Sequence, residues 1–235
     1  MKAGSVFVGL LRVQPGLHDA FLDWHDDDHR PENHGAIPHL FHSARYIATP
    51  DSVERRRAAA GTPFADAGTY LMTYWSTAQP DQLLRDMTIV REQLEALGRC
   101  EPIGRDFTAS WRDRLQVVTA YAGHAHRVSP DAIPLVRHDA LVLLVGRDPG
   151  DGGAWARWWD GGGQAELLAD ERFVGAFTLR GTEERDLVVH LVFVRGDDAS
   201  AQDAHAAVLA RQPGLPLLYH AAYVRQHGGQ PRWYV

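Results

Sequence analysis

The chain has 235 residues, 45% of them apolar and 23% charged, with a formal net charge of −6. That is ordinary globular composition, long enough for one large domain or two small ones, and the acidic balance argues against nucleic acid as a partner. No apolar run approaches the ~18 residues of a membrane span, and the single cysteine, Cys100, excludes internal disulfides, cysteine-rich zinc sites and iron–sulfur clusters. The segment Met1 to Val13 has no cleavage pattern. The expectation is a cytoplasmic protein that handles small molecules and has neither a nucleic acid nor a membrane as partner.

Ser5–Val13 is β-branched and apolar on both parities, the pattern of a strand buried on two faces. Pro15-Gly16 breaks it. Leu17, Phe21, Trp24 and Asp28 follow helical spacing, so a helix is predicted from Leu17 to about His29, ended by Pro31. Leu40–Ala48 reads as a second strand. Pro50 to Asp66, with its Glu54-Arg55-Arg56-Arg57 run, reads as an excursion or loop. Gly68–Thr77 is a third strand, rich in Tyr, Thr and Trp. Pro80-Asp81 opens a helix whose stripe Leu83, Met87, Val90, Leu94 and Leu97 ends at Gly98. Asp106–Val118 supplies a fourth strand, irregular near Trp111. The order β-α-β-β-α-β is that of a ferredoxin-like unit.

The pattern then recurs. Strands are predicted at Asp139–Arg147, Phe173–Arg180, Leu187–Arg195 and Leu217–Gln226, with helices at Ala154–Leu168 and Ser200–Arg211. The fold expected is therefore α+β: two tandem ferredoxin-like repeats, residues 1–122 and 135–235, forming an intrachain pseudo-dimeric barrel. The halves match residue to residue. Trp24-His25-Asp26 falls on Trp158-Trp159-Asp160, Glu32 on Glu166 and Phe41 on Phe173. Where the first half has Asp27-Asp28-His29, the second has Gly161-Gly162-Gly163. The second half keeps the scaffold without the ionisable groups.

These residues resemble the dimeric α+β barrel superfamily. Trp24-His25-Asp26-Asp27-Asp28-His29-Arg30-Pro31-Glu32 is similar to the Trp-Tyr-x-x-Glu-His-x-Pro-Glu signature of EthD-like proteins, and Phe41-His42-Ser43-Ala44-Arg45-Tyr46 to the strand that follows it. Gly68–Tyr74 resembles their third strand. The likeness covers about residues 4–110; the second half matches mainly by pattern. It implies two ferredoxin-like units paired sheet to sheet, helices outside and a ligand cavity inside the barrel. Members of that superfamily include polyketide cyclases, cofactor-free quinone-forming monooxygenases, lactone isomerases and haem enzymes, so fold alone does not fix function. This sequence departs from the signature at His25, where the family has Tyr. The second half has lost the His. At most one full site per chain is expected, with the fused chain a monomer of pseudo-twofold symmetry or a homodimer.

On a helix, His25 and His29 lie about 40° apart, with Asp28 on the same side. A stripe that turns ionisable in its last turn fits a helix end that opens on a cavity. A His beside a carboxylate can serve as general acid or base; at a helix C-terminus it can also simply cap the dipole. The resemblance favours His29. The same pair, with Glu32, Asp28 or His34 as third ligand, is the alternative metal set. Arg45 can hold a carboxylate or enolate, or make a rim ion pair. Alternation puts Phe41, Ser43 and Arg45 on one face of the second strand, and His42, Ala44 and Tyr46 on the other. Tyr70, Met72 and Tyr74 share a face of the third strand, suited to an aromatic wall or to core packing. Trp155, Trp158 and Trp159 read as interface or core. No phosphate loop, dinucleotide fingerprint or Gly-x-Ser-x-Gly elbow is present.

The function expected is cofactor-independent acid/base chemistry on a small aromatic or polyketide-like metabolite: cyclisation, isomerisation or dehydration. The catalytic candidates are His29, His25, Asp28 and Arg45, and the substrate-binding candidates Trp24, Phe41, Tyr46, Tyr70 and Tyr74. The alternatives are a divalent-metal- or haem-dependent oxidoreductase and a non-catalytic ligand-binding protein.

Overall fold

A computed structural model describes residues 2–99, 107–148, 157–211 and 216–226. Cys100, Trp155 and the last residues of the chain lie outside these. Eight long strands form one closed antiparallel sheet: β1 (Ser5–Val13), β2 (Leu40–Ile47), β4 (Tyr70–Ser76), β5 (Phe107–Ala122), β6 (Ala140–Arg147), β7 (Phe173–Arg180), β8 (Leu187–Val194) and β9 (Leu217–Arg225). The order around the barrel is β2-β4-β1-β5-β7-β8-β6-β9, closed by β2 on β9. A two-residue β3 (Arg57–Ala58) pairs with the outer edge of β9. No helix among the described residues is long and apolar enough to cross a membrane.

Alternation sends every second side chain inward. Val6, Val8 and Leu10 of β1 meet Tyr46, Leu71, Trp75, Trp111, Phe177, Phe193, Tyr219 and Tyr223 in one core inside the barrel. Trp75 is fully buried and lies 4.6 Å from the Phe177 ring. Among the described residues the interior is thus packed with side chains rather than open as expected. The space lies instead on the opposite, helix-covered face.

That face is covered in the first half by α1 (His18–Asp23), a π-helical turn (Trp24–His29), α2 (Arg30–Ala36) and the long α4 (Pro80–Ala96). Pro31 does not end the helix. It sits in the first turn of α2, just after the widened turn in which Arg30 N–H donates to His25 O. A proline there needs no donor, and the π-turn shifts the carbonyl it would otherwise meet. The Gly98 stop is observed: φ is +69° and its N–H donates to Glu95 O. A π-turn (Trp159–Gly163), α5 (Gln164–Leu168) and α6 (Asp198–Leu209) pack on the outer face of β6 to β9.

The segment after β2 is not a loose excursion. Thr49 caps a short α3 (Pro50–Arg55), accepting from Ser52 N–H. Ser52 Oγ donates to Asp198 (2.5 Å), and Arg55 pairs with Asp203 (2.8 Å), so the second half holds it. β2 opens with a bulge between Leu40 and His42. The bulge turns Phe41 towards the barrel-interior core, away from the face it was expected to share with Ser43 and Arg45.

Candidate active site

Between the outer face of β1, β4 and β5 and the helices above it is a cleft of about 570 Å³. Phe7 and Leu11 of β1, Met72 and Tyr74 of β4 and Phe107 of β5 form its floor. Phe21, Trp24, His25, His29 and Asn33 line it from the α1–π–α2 helix, and Leu84, Met87, Thr88 and Arg91 from α4. Arg112 and Arg114 of β5 complete the lining.

The π-turn controls what reaches this space. Trp24, His25 and His29 all line the cleft, and Trp24 stacks on His29 with centroids 4.4 Å apart and planes at 21°. His25, 2% exposed, is held at both ring nitrogens. Nδ1 lies 3.0 Å from Asp26 Oδ1, and Tyr74 OH lies 3.2 Å from Nε2. A carboxylate can only accept, so Nδ1 donates to Asp26 and Nε2 accepts from the tyrosine hydroxyl. Arg45 Nη2 pairs with the other Asp26 oxygen at 2.5 Å. Beside this chain, Asn33 Nδ2 donates to His29 Nε2 at 2.9 Å, which leaves the His29 proton on Nδ1.

Burial sets the protonation states. It pushes His25 down to about 4, against the Asp26 hydrogen bond that favours the imidazolium. Burial and the nearby His25 bring His29 to about 4 as well. Tyr74, buried in the sheet, is pushed up to about 12. Burial raises the Asp26 carboxyl, but hydrogen bonds from His25 and Arg45 outweigh it and hold it well below the carboxylate range. At neutral pH the constellation is a carboxylate, two neutral imidazoles and a phenol.

The remaining expected residues are placed differently. Asp28 turns to Arg99 (2.6 Å) and acts on His29 only through space. Glu32 also pairs with Arg99. Among the described residues no three His, Cys, Asp or Glu side chains stand close enough to hold a metal, so His25, His29 and Glu32 are not brought together as ligands. Arg45 does not line the cleft; it lies behind Asp26, bound also to Gln226. Tyr46 points into the barrel, its hydroxyl 2.8 Å from His138 Nε2. Tyr70 is fully buried under Phe21, 2.9 Å from His18 Nδ1. Phe41 is turned inward by the bulge. Asp26 and Asn33 were not singled out from the sequence. Asn33 lies one helical turn beyond His29, the spacing at which helix side chains meet.

The described residues on the outer face of β6 to β9 are closely packed. Trp159, which the sequence comparison of the halves sets against His25, is 1% exposed and lies 4.3 Å from the His190 ring. Leu167, Leu168, Phe173 and Val192 pack around it.

No family model matches the chain, and no curated protein matches it by sequence. Solved structures do match. An anthrone oxidase-like protein superposes with a TM-score of 0.60 at 15% identity, over 97% of this chain and 92% of its own. A chlorite dismutase from Candidatus Nitrospira defluvii, solved as a point mutant, gives 0.55 at 9%, over 97% and 93%. A dye-decolorizing peroxidase from Bacteroides thetaiotaomicron gives 0.55 at 8%, over 96% and 93%. At such identities the likeness is one of fold: the chain has the α+β barrel architecture of these proteins.

Proposed function

We propose that this chain is a small-molecule enzyme whose first half moves a proton on an aromatic or polyketide-like substrate without a cofactor, and that its barrel arose from two fused ferredoxin-like repeats of EthD-like type. The observation that carries the reading is the hydrogen-bonded chain Asp26–His25–Tyr74, which reaches an apolar cleft beside a second neutral imidazole. The strand orders β2-β4-β1-β5 and β7-β8-β6-β9 are the same permutation, which supports the duplication.

The chemistry follows from the donors and acceptors. A substrate C–H or O–H proton passes to the Tyr74 oxygen as the Tyr74 proton passes to His25 Nε2. The bonding pair left behind becomes an enolate or phenolate. Asp26 stabilises the imidazolium that forms, and Arg45 holds Asp26 in position. His29 offers Nδ1–H to the developing oxyanion. Apolar walls keep water out and strengthen each of these interactions. Cyclisation, isomerisation and dehydration all begin with such an anion, as does reaction of an activated carbanion with dioxygen.

Haem belongs to this fold in other proteins, and its needs are specific. An axial histidine requires a free ring nitrogen and a partner for the other. His25 has the partner, Asp26, but its Nε2 faces Tyr74 OH; His29 Nε2 faces Asn33. Neither cleft histidine, as arranged, offers a free nitrogen to haem iron.

Anthrone, with its carbonyl-activated methylene, is a suitable probe. Wild-type protein is expected to catalyse deuterium exchange at that carbon under nitrogen, with Tyr74→Phe and His25→Gln slower by about 10²–10⁴-fold. The acid limb of the profile should fall near the His25 value, about 4, because the neutral imidazole is the form that accepts the proton. Oxygen uptake in air would place the reaction among the oxygenases. Bound anthrone with no exchange would end the reading, and a Soret band in purified protein would replace it with the haem alternative.

A further inference from the structure

The lining of the cleft is charged opposite to the chain. The protein carries 30 Asp and Glu against 24 Lys and Arg. Yet the described lining residues include Arg91, Arg112 and Arg114 and no carboxylate. Two of these guanidiniums are answered nearby. Arg91 pairs with Glu95 at 2.6 Å, and Arg114 with Glu183 at 2.5 Å. Arg112 has no carboxylate partner among the described residues.

The strand register puts this cation beside Gly9. Gly9 lies on the floor face between Phe7 and Leu11, paired with Met72 on one side and Arg112 on the other. A Cβ built on Gly9 would stand 3.2 Å from Phe7 Cε1 and 3.9 Å from Leu11 Cδ2. With no side chain of its own, Gly9 lets the Phe7 ring lie close against it, and Phe7, Leu11 and Met72 form an apolar floor with Arg112 at its edge. A planar ring fits this floor, and a carboxylate on that ring reaches a guanidinium able to bind it in bidentate fashion. A cleft lined by one sign of charge also draws in the opposite sign.

We propose that the substrate is an aromatic or fused-ring carboxylate, with its ring on the apolar floor of Phe7, Leu11 and Met72 and its carboxylate on Arg112. This deepens the acid/base reading of the same cleft and rests on it only for the statement that the ligand is a substrate. Binding tests it without turnover.

The two probes are 2-naphthoate and the neutral 2-naphthalenemethanol, titrated calorimetrically into the full chain at low salt. The wild type is expected to favour naphthoate by about tenfold or more, the range of a charge-assisted contact. Arg112→Gln, at an exposed position, should abolish that preference and leave the alcohol unchanged. Gly9→Ala should weaken both probes several-fold. Its added methyl meets only the far edge of a phenyl ring, so the variant should fold, as a matching circular dichroism spectrum would show. Equal affinity for the two probes in the wild type would overturn the proposal. So would a preference that survives Arg112→Gln, failure of naphthoate to bind, or indifference of naphthoate binding to Gly9→Ala. Anthrone exchange without naphthoate preference would sink this inference and spare the acid/base reading. Naphthoate preference without any exchange would do the reverse.

Discussion

Lowering the pH from 7 to 5 should cost this protein much of its stability, and the buried imidazoles give the size of the loss. His25, His190 and His220 are at most 2% exposed. Burial pushes them down to about 4, 3 and 4 from an ordinary 6.5. His205 is pushed the same way, by burial and by its two imidazole neighbours. Each folded-state value lies below the unfolded one, so the unfolded chain binds more protons throughout the interval from about 4 to 6.5. Stability therefore falls as pH drops below 6.5 and stops falling, for each group, near its folded value. At pH 5 the deficit is about 1.5 pK units per imidazole, or about 2 kcal/mol each. Three groups together reach about 6 kcal/mol, comparable with the whole stability of a typical domain, about 5–15 kcal/mol. Urea titrations at pH 7, 6 and 5, followed by tryptophan fluorescence, should show the midpoint falling steeply while the slope m stays constant. His190→Phe removes one titrating group and should make the fall shallower by about 2 kcal/mol at pH 5. A midpoint that does not move between pH 7 and 5, or a pH slope unaltered in His190→Phe, would refute the reasoning.

Three other changes probe separate parts of the structure. Arg45→Gln removes the cation from Asp26, so it should cost about 3 kcal/mol in urea melts and move the acid limb of any anthrone exchange to higher pH. Trp75→Ala empties the middle of the barrel and should cost about 3–5 kcal/mol, read as a lower urea midpoint. Gly68→Ala should lower the melting temperature sharply, because the new Cβ would sit 1.7 Å from the Leu11 carbonyl oxygen; about 2–3 kcal/mol is expected for a clash that must be relieved by moving backbone.

Much of this was legible in the residues. The eight long strands follow from apolar, β-branched runs bounded by Gly and Pro, and α4 from its stripe and its terminal glycine. Trp24, His25, His29 and Tyr74 do line one cleft. What the sequence could not supply was the face. Tyr70, Met72 and Tyr74 alternate with Leu71, Thr73 and Trp75, and β4 is buried along its whole length. When the barrel core takes one face and helices take the other, a period of two marks a strand but cannot say which side is the interior. Tyr46 and Tyr74 were both reasonable wall residues, and only the closed sheet separated them. Phe41 changed sides because one residue was bulged, an event with no signal in hydrophobic alternation.

The amino-acid order by itself determined the eight long strands, α4 and the clustering of histidines near Trp24, because those depend on local pattern and residue type. Tertiary structure alone decided that the barrel is solid and the space lies beneath the helices. It also decided that Asp26 rather than Asp28 partners an imidazole, and that Arg45 stands one residue back from the cleft. Each of those depends on how a π-turn and a sheet face meet across tens of residues of sequence, and side-chain direction at that range is set by packing.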